Sequence, residues 1–196
     1  HMREMRFWRW FRTLPLMAMG VLCVLTALVS VAPDALVRQM LFPVKYADLI
    51  ESASERYGVD EYLICAVIKC ESDWDSKATS SAGAVGLMQL IPSTSQEVAR
   101  LGLVSASAYD PNNLTDPATN IEYGTAYLAY LQSNLSSRDQ VVAAYNAGLG
   151  AVSGWLSQGE DISNQIRYAE TATYLVRVNE AYERYAQFYP NGIAAA

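Results

Sequence analysis

Between Arg12 and Asp34 the chain carries no charge. The core of that stretch, Leu14 to Ala32, reads LPLMAMGVLCVLTALVSVA. It approaches the roughly 20 apolar residues a helix needs to cross a bilayer. A segment apolar on every side fits a globular surface badly, so it divides the chain into two parts with two solvents. Arg3, Arg6, Arg9 and Arg12 precede it, interleaved with Phe7, Trp8, Trp10 and Phe11. Arginines favour the cytoplasmic side and aromatic rings the interface. The pattern predicts a mostly α protein: one N-terminal transmembrane helix whose amino end stays inside, then an exported helical domain. His1-Met2 reads as a cloning remnant ahead of a basic cytoplasmic segment, together 1–12. Residues 13–33 are the anchor or a signal, 34–44 a linker and 45–192 the exported domain. An uncleaved anchor fits the length of the run. The alternative is a signal cut after Ser30-Val31-Ala32, with secretion of the rest, although Pro33 would then follow the cut, where a ring without an N–H suits a protease poorly.

The charge follows the same division. The first 44 residues hold five arginines against Glu4 and Asp34, whereas the remainder holds nine basic and eighteen acidic side chains. A net charge of −6 argues against a nucleic-acid partner, which would need a basic face. The single histidine is His1, so imidazole enters no site, and Ser-His triads, Cys-His dyads and most zinc chemistry are excluded. Any catalyst must use a carboxyl, hydroxyl, thiol, amine or amide. The 110–116 stretch, DPNNLTD, lacks the sixth-position glycine and twelfth-position glutamate of a calcium loop and reads as a loop and helix cap. No phosphate loop is present. No metal and no cofactor are expected. Cys65 and Cys70 are five apart on one helix, where they diverge and read as small buried hydrophobes.

From Lys45 onward the apolar periodicity is helical. Tyr46, Leu49, Ile50, Ala53 and Tyr57 share a face, and Gly58 ends it. Asp60 caps a second helix carrying Leu63, Ile64, Val67 and Ile68. Pro92-Ser93-Thr94 opens a short third that ends near Gly102. Asp116-Pro117 starts a fourth, with Ile121, Leu128, Leu131 and Leu135 inward. Val141 to Ala147 forms another, and a long one runs from about Gln165 to Phe188. Ala84 to Leu90, short and glycine-bounded, reads as strand or loop.

Glu71 lies three, four and seven residues after Ile68, Val67 and Ile64, on the apolar face of the second helix. It also lies at that helix's C-terminal end. Burial and the negative end of the macrodipole both disfavour its anion. A carboxyl that keeps its proton near neutral pH is what general acid catalysis on a glycosidic oxygen requires. The residues that follow suit a sugar ligand. Residues 78–92 read ATSSAGAVGLMQLIP, with Gly83 and Gly86 for turns, Met88 as a soft apolar contact and Gln89 as an amide. Residues 143–152 read AAYNAGLGAV and residues 168–178 read YAETATYLVRV. Tyrosine rings cover apolar sugar faces, and amides meet hydroxyl and acetamido groups.

Those motifs, in that order, resemble the soluble lytic transglycosylases, whose catalytic domain is goose-lysozyme-like, over roughly residues 45–190. The resemblance implies a lysozyme-like helical domain. It implies cleavage of the β-1,4 bond between N-acetylmuramic acid and N-acetylglucosamine in peptidoglycan without water, leaving a 1,6-anhydro ring. It puts the catalytic acid on Glu71 and substrate contacts on Ser80, Met88, Gln89, Tyr145, Asn146 and Tyr174, with Glu170 and Thr171 as the acid–threonine pair. Tyr174 is expected beside Glu71. Leu149, Leu175 and Cys70 depart mildly from the family pattern without removing a functional group. The expected partners are peptidoglycan strands and the membrane, with a monomer in a single-pass cell-membrane protein; no envelope or secretion-machinery partner is specified. A lysozyme-like hydrolase and an inactive glycan-binding domain are the alternative readings.

Overall fold

The computed structural model describes residues 15, 17–26, 38, 40–157, 162, 166 and 168–195. The chain divides into two units, His1–Leu41 and Phe42–Ala196. In the first, residues 17–26 are helical. The rest of the expected span 13–33, apart from Pro15, lies outside the described residues. Among the described residues no helix is long and apolar enough to cross a membrane.

The second unit is built from seven α-helices among the described residues: α1 Ala47–Tyr57, α2 Glu61–Ser72, α3 Pro92–Arg100, α4 Pro117–Asn134, α5 Arg138–Ala147, α6 Leu149–Leu156 and α7 Ala169–Phe188. A 3₁₀ turn, Ile193–Ala195, follows. The caps explain the boundaries. Gly58, at φ 68, ends α1 and sends its N–H to the Ser54 carbonyl at 2.8 Å. Asp60 accepts from the Tyr62 N–H at 2.8 Å, and Asp116 from Thr119 at 2.8 Å with Pro117 at the first helical position.

α2 is the central element. Leu63 to Ile68 are all buried, which a helix tolerates only when neighbours cover it all round. α7 covers it most extensively and also packs on α5, while α1 packs on α4. Glu122 on α4 is only 6% exposed. It accepts from Arg56 and, at 2.6 Å, from the Tyr57 hydroxyl, so α1 supplies the partners that offset the burial of its charge. A smaller apolar cluster of Leu90, Val98, Val104, Leu114, Tyr123 and Ala126 sits beneath the 79–116 segment. The fold therefore has a large helical lobe and a small, loop-rich one.

Several boundaries differ from the sequence reading. α5 begins at Arg138, where the Ser137 hydroxyl accepts from the Gln140 N–H. α7 begins at Ala169, after an extended Tyr168. α6 is unanticipated: Gly148, at φ 88, ends α5 and starts α6 at once. Phe42, Pro43 and Val44, expected in the linker, belong to the second unit. The Tyr189 and Tyr185 hydroxyls hold the Phe42 and Pro43 carbonyls at 2.9 and 3.1 Å. The ambiguous 84–90 segment is an irregular loop with two isolated antiparallel bridges, Thr79 to Val85 and Val85 to Leu90.

Candidate active site

The end of α2 is fixed by an unusual turn. Asp73 and Trp74 both take left-handed backbone, at φ 51 and 68. A non-glycine residue there costs about 1–2 kcal/mol. Trp74 offsets it by burying its ring to 2% exposure and donating its indole N–H to the Tyr185 hydroxyl at 2.9 Å. The chain thus leaves the helix immediately after Ser72, and Glu71 projects from its last turn.

Glu71 is half-buried where two cavities meet. One, of about 540 Å³, runs between the lobes, with Ser80, Gln89 and Ile91 on one wall and Tyr127, Tyr145 and Asn146 on the other. The second, of about 400 Å³, is walled by Asn146 and by Glu170, Thr173, Tyr174 and Arg177 of α7. Both sizes are usual for ligand clefts. A larger cavity of about 730 Å³ lies along α7, with Arg177 and Arg184 among its lining residues, but Glu71 does not reach it.

Burial is the main cause that pushes the Glu71 carboxyl from 4.5 up to about 7. Glu170 adds to it, while the Tyr174 hydroxyl and Arg177 oppose it. Tyr174 is 5% exposed, and its hydroxyl closes no hydrogen bond of ordinary geometry. It lines the smaller cavity together with Glu71, where the phenol favours the Glu71 anion. Burial raises the Tyr174 and Tyr145 phenols well above their usual value, and both stay neutral.

The wall facing Glu71 is a folded-back loop. The Ser80 N–H reaches the Ala84 carbonyl at 2.9 Å, and the Ser80 hydroxyl accepts from the Ala84 N–H at 3.0 Å. Gln89, at φ 48, donates from Nε2 to the Ala78 and Gly86 carbonyls at 3.1 and 3.0 Å. Both its N–H bonds are spent on backbone, so its carbonyl oxygen is left to accept from a ligand. Asn146 is the complement. Its oxygen accepts from the Thr171 hydroxyl at 2.7 Å, leaving its NH₂ to donate. Tyr145 sends its hydroxyl to the Met88 carbonyl at 2.8 Å and packs its ring against Tyr127 at 5.6 Å.

Met88 is the one site expectation that the geometry moves. Its side chain is fully buried and lines neither cavity. It rests on Gly124, where a Cβ would fall 2.3 Å from the Met88 sulfur. Its contribution is its backbone, held on one side by Tyr145 and on the other by Asn120, whose oxygen accepts the Met88 N–H at 2.7 Å. Gly86 is confined just as tightly: at φ 79, a Cβ would meet the Leu114 carbonyl at 2.2 Å. Sequence reasoning missed Asn120, the Ser72 hydroxyl that donates to the Leu87 carbonyl at 2.8 Å, and Arg177. The thiols take no part. Burial pushes Cys70 up to about 11 and raises Cys65 well above the usual thiol value, and both are unpaired.

The transglycosylase SLT domain family model matches residues 48–167. A membrane-bound lytic murein transglycosylase C from Edwardsiella ictaluri is 36% identical over 166 residues, covering 72% of this chain and 46% of that protein. A soluble lytic murein transglycosylase from Escherichia coli is 32% identical over 155 residues, covering 76% of this chain and 24% of that one. The crystal structure of the 70 kDa soluble lytic transglycosylase from Escherichia coli superposes with a TM-score of 0.72 at 30% identity. That alignment covers 79% of this chain and 26% of the other. The chain spans less than half the length of these relatives.

Proposed function

The chain belongs to the transglycosylase SLT domain family, and on that premise we propose that it is a peptidoglycan lytic transglycosylase. It cleaves the β-1,4 bond between N-acetylmuramic acid and N-acetylglucosamine and leaves a 1,6-anhydromuramoyl end. The observation that carries this reading is a carboxyl held near pH 7 at the junction of two clefts, one for each side of the bond to be broken. Glu71 protonates the glycosidic oxygen as the anomeric carbon–oxygen bond breaks. The resulting carboxylate then takes the proton from the C6 hydroxyl, whose oxygen closes on the anomeric carbon. One bond breaks, one forms, the proton returns to Glu71 and no water is consumed. The Ser80 hydroxyl and the Asn146 NH₂ supply donors, and the Gln89 oxygen an acceptor, for the acetamido and hydroxyl groups. The Tyr145 and Tyr127 rings line the path of the apolar sugar faces.

A second reading has one observation in its favour. Glu170 lines both clefts with Glu71, and a hydrolase needs a second carboxylate to activate water. Mass spectrometry of muropeptides released from purified sacculi separates the two. Anhydro ends are expected throughout; reducing ends would make the enzyme a hydrolase. Activity should fall as pH rises through about 7, because the acid must start protonated. A rate that stays flat from pH 6 to pH 8 would remove Glu71 from that role.

Residues 13–33 we read as a single-pass anchor, with the amino end cytoplasmic and the 45–192 domain outside. Within 17–26 the only hydroxyl, that of Thr26, bonds back to the Leu22 and Cys23 carbonyls at 2.8 and 2.9 Å, the internal satisfaction that lipid demands. The protein is expected to sediment with membranes in high salt. A soluble product beginning at Pro33 would establish a cleaved signal instead.

A further inference from the structure

Once Glu71 has given up its proton, three things oppose the anion: burial, the Glu170 carboxylate and the C-terminal end of α2. The α7 face that lines the smaller cavity carries Glu170, Tyr174 and Arg177 at i, i+4 and i+7. Arg177 donates from Nη2 to the Cys70 carbonyl at 2.9 Å. Cys70 directly precedes Glu71, so this bond clamps the guanidinium on the last turn of α2, where unpaired carbonyls favour a cation. Among the described residues lining the two cavities that meet at Glu71, Arg177 is the one cation.

We propose that Arg177 is a positioning residue: clamped on the Cys70 carbonyl, it holds a positive charge against the Glu71 carboxylate and offsets Glu170. The inference rests on Glu71 being the acid of the reaction above. Among the described residues, the titratable groups that line the two cavities with Glu71 are Glu170, Tyr174 and Arg177 of α7, Tyr145 of α5, Tyr127 of α4 and the adjacent Cys70. The 78–91 loop adds Ser80 and Gln89 and has no titratable side chain. The phenols and the thiol stay neutral at working pH, which leaves two full charges of opposite sign acting on one carboxyl.

Opposite signs make the test specific. The full chain, carbon-13-labelled at glutamate, is titrated by NMR as wild type, R177Q, R177K and E170Q, alongside the pH–rate profile for anhydro-muropeptide release. R177Q should raise the Glu71 midpoint by about 0.5–1 pH unit, at the low end of charge effects because the guanidinium is exposed. E170Q should lower it, and R177K should stay nearer wild type than R177Q. The basic limb of the rate profile should move with the midpoint. Loss of a packing residue would not shift the two variants in opposite directions. R177M serves if R177Q does not fold. An unmoved midpoint in the folded Arg177 variant, or a shift of the same sign in E170Q, overturns the role. A wild-type chain that released no anhydro ends would sink the reaction instead, and the titration would still decide what Arg177 does to Glu71.

Discussion

Glu71→Gln is expected to abolish peptidoglycan cleavage and, at alkaline pH, to make the fold more stable than the wild type. Removing a general acid costs about 10²–10⁴ in rate, and here one carboxyl serves both half-reactions, so the upper end is expected. The stability gain follows from linkage. Folding raises the Glu71 carboxyl from 4.5 to about 7. Between those values the folded state binds a proton that the unfolded state has released, so stability falls as pH rises through that window. Below about pH 4 both states are protonated, and the glutamine variant should match the wild type. Above about pH 7 the wild type carries the full cost of a half-buried anion. At roughly 1.4 kcal/mol per unit, discounted for partial exposure, that cost is about 2–3 kcal/mol. Denaturant unfolding at pH 4 and pH 8, paired with muropeptide release, measures both halves. A folded variant with near-wild-type release refutes the catalytic assignment. Equal stability at pH 8 would show that burial does not strain this carboxyl.

The position of Glu71 was legible because a 3.6-residue period and a break in helical pattern are local facts. Three preceding apolar residues put it on the inner face, and the run after Ser72 ended the helix. The α7 face was equally legible: Glu170, Tyr174 and Arg177 recur at helical spacing. The motif singles out Glu170 and Tyr174, whereas an exposed-looking arginine carries no signal until a partner is known. Its partner is the Cys70 carbonyl, 107 residues away. Met88 was misplaced for a related reason. The residue type suits both a sugar contact and a core, and what decides is Gly124, which leaves a hole on α4 that only the fold brings opposite. Asn120 shares a stripe with Gly124 and Leu128, so an amide on an otherwise apolar face was the available clue. The left-handed backbone at Trp74 and Gln89 had no such clue, since neither residue type announces that conformation.

Asn120→Ala should be among the most damaging single changes to the fold outside the helical core. The amide is fully buried and makes three hydrogen bonds. Its oxygen takes the Met88 N–H at 2.7 Å, and its NH₂ reaches the Val85 and Leu114 carbonyls at 2.9 and 2.8 Å. Alanine would orphan one buried donor, the Met88 N–H, and one acceptor, the Leu114 carbonyl, while the Val85 carbonyl keeps the Leu90 N–H at 3.0 Å. At about 1–3 kcal/mol for each of the two unsatisfied groups, and with some relaxation, the expected loss is about 2–4 kcal/mol. Against a total stability of roughly 5–15 kcal/mol that is a large fraction. The exposed Asn112 is the control: Asn112→Ala should stay within about 0.5 kcal/mol. The damage should also reach the cleft. Asn120 holds the Met88 N–H and Tyr145 holds the Met88 carbonyl, so one peptide segment links the small lobe's loop to the Tyr145 wall. Release of that segment frees Gln89 to leave its left-handed conformation and lets the Tyr145 ring drift. At a temperature where Asn120→Ala is still folded, KM for peptidoglycan should therefore rise above that of the wild type. A loss below about 1 kcal/mol would mean that the loop is held by something other than this amide.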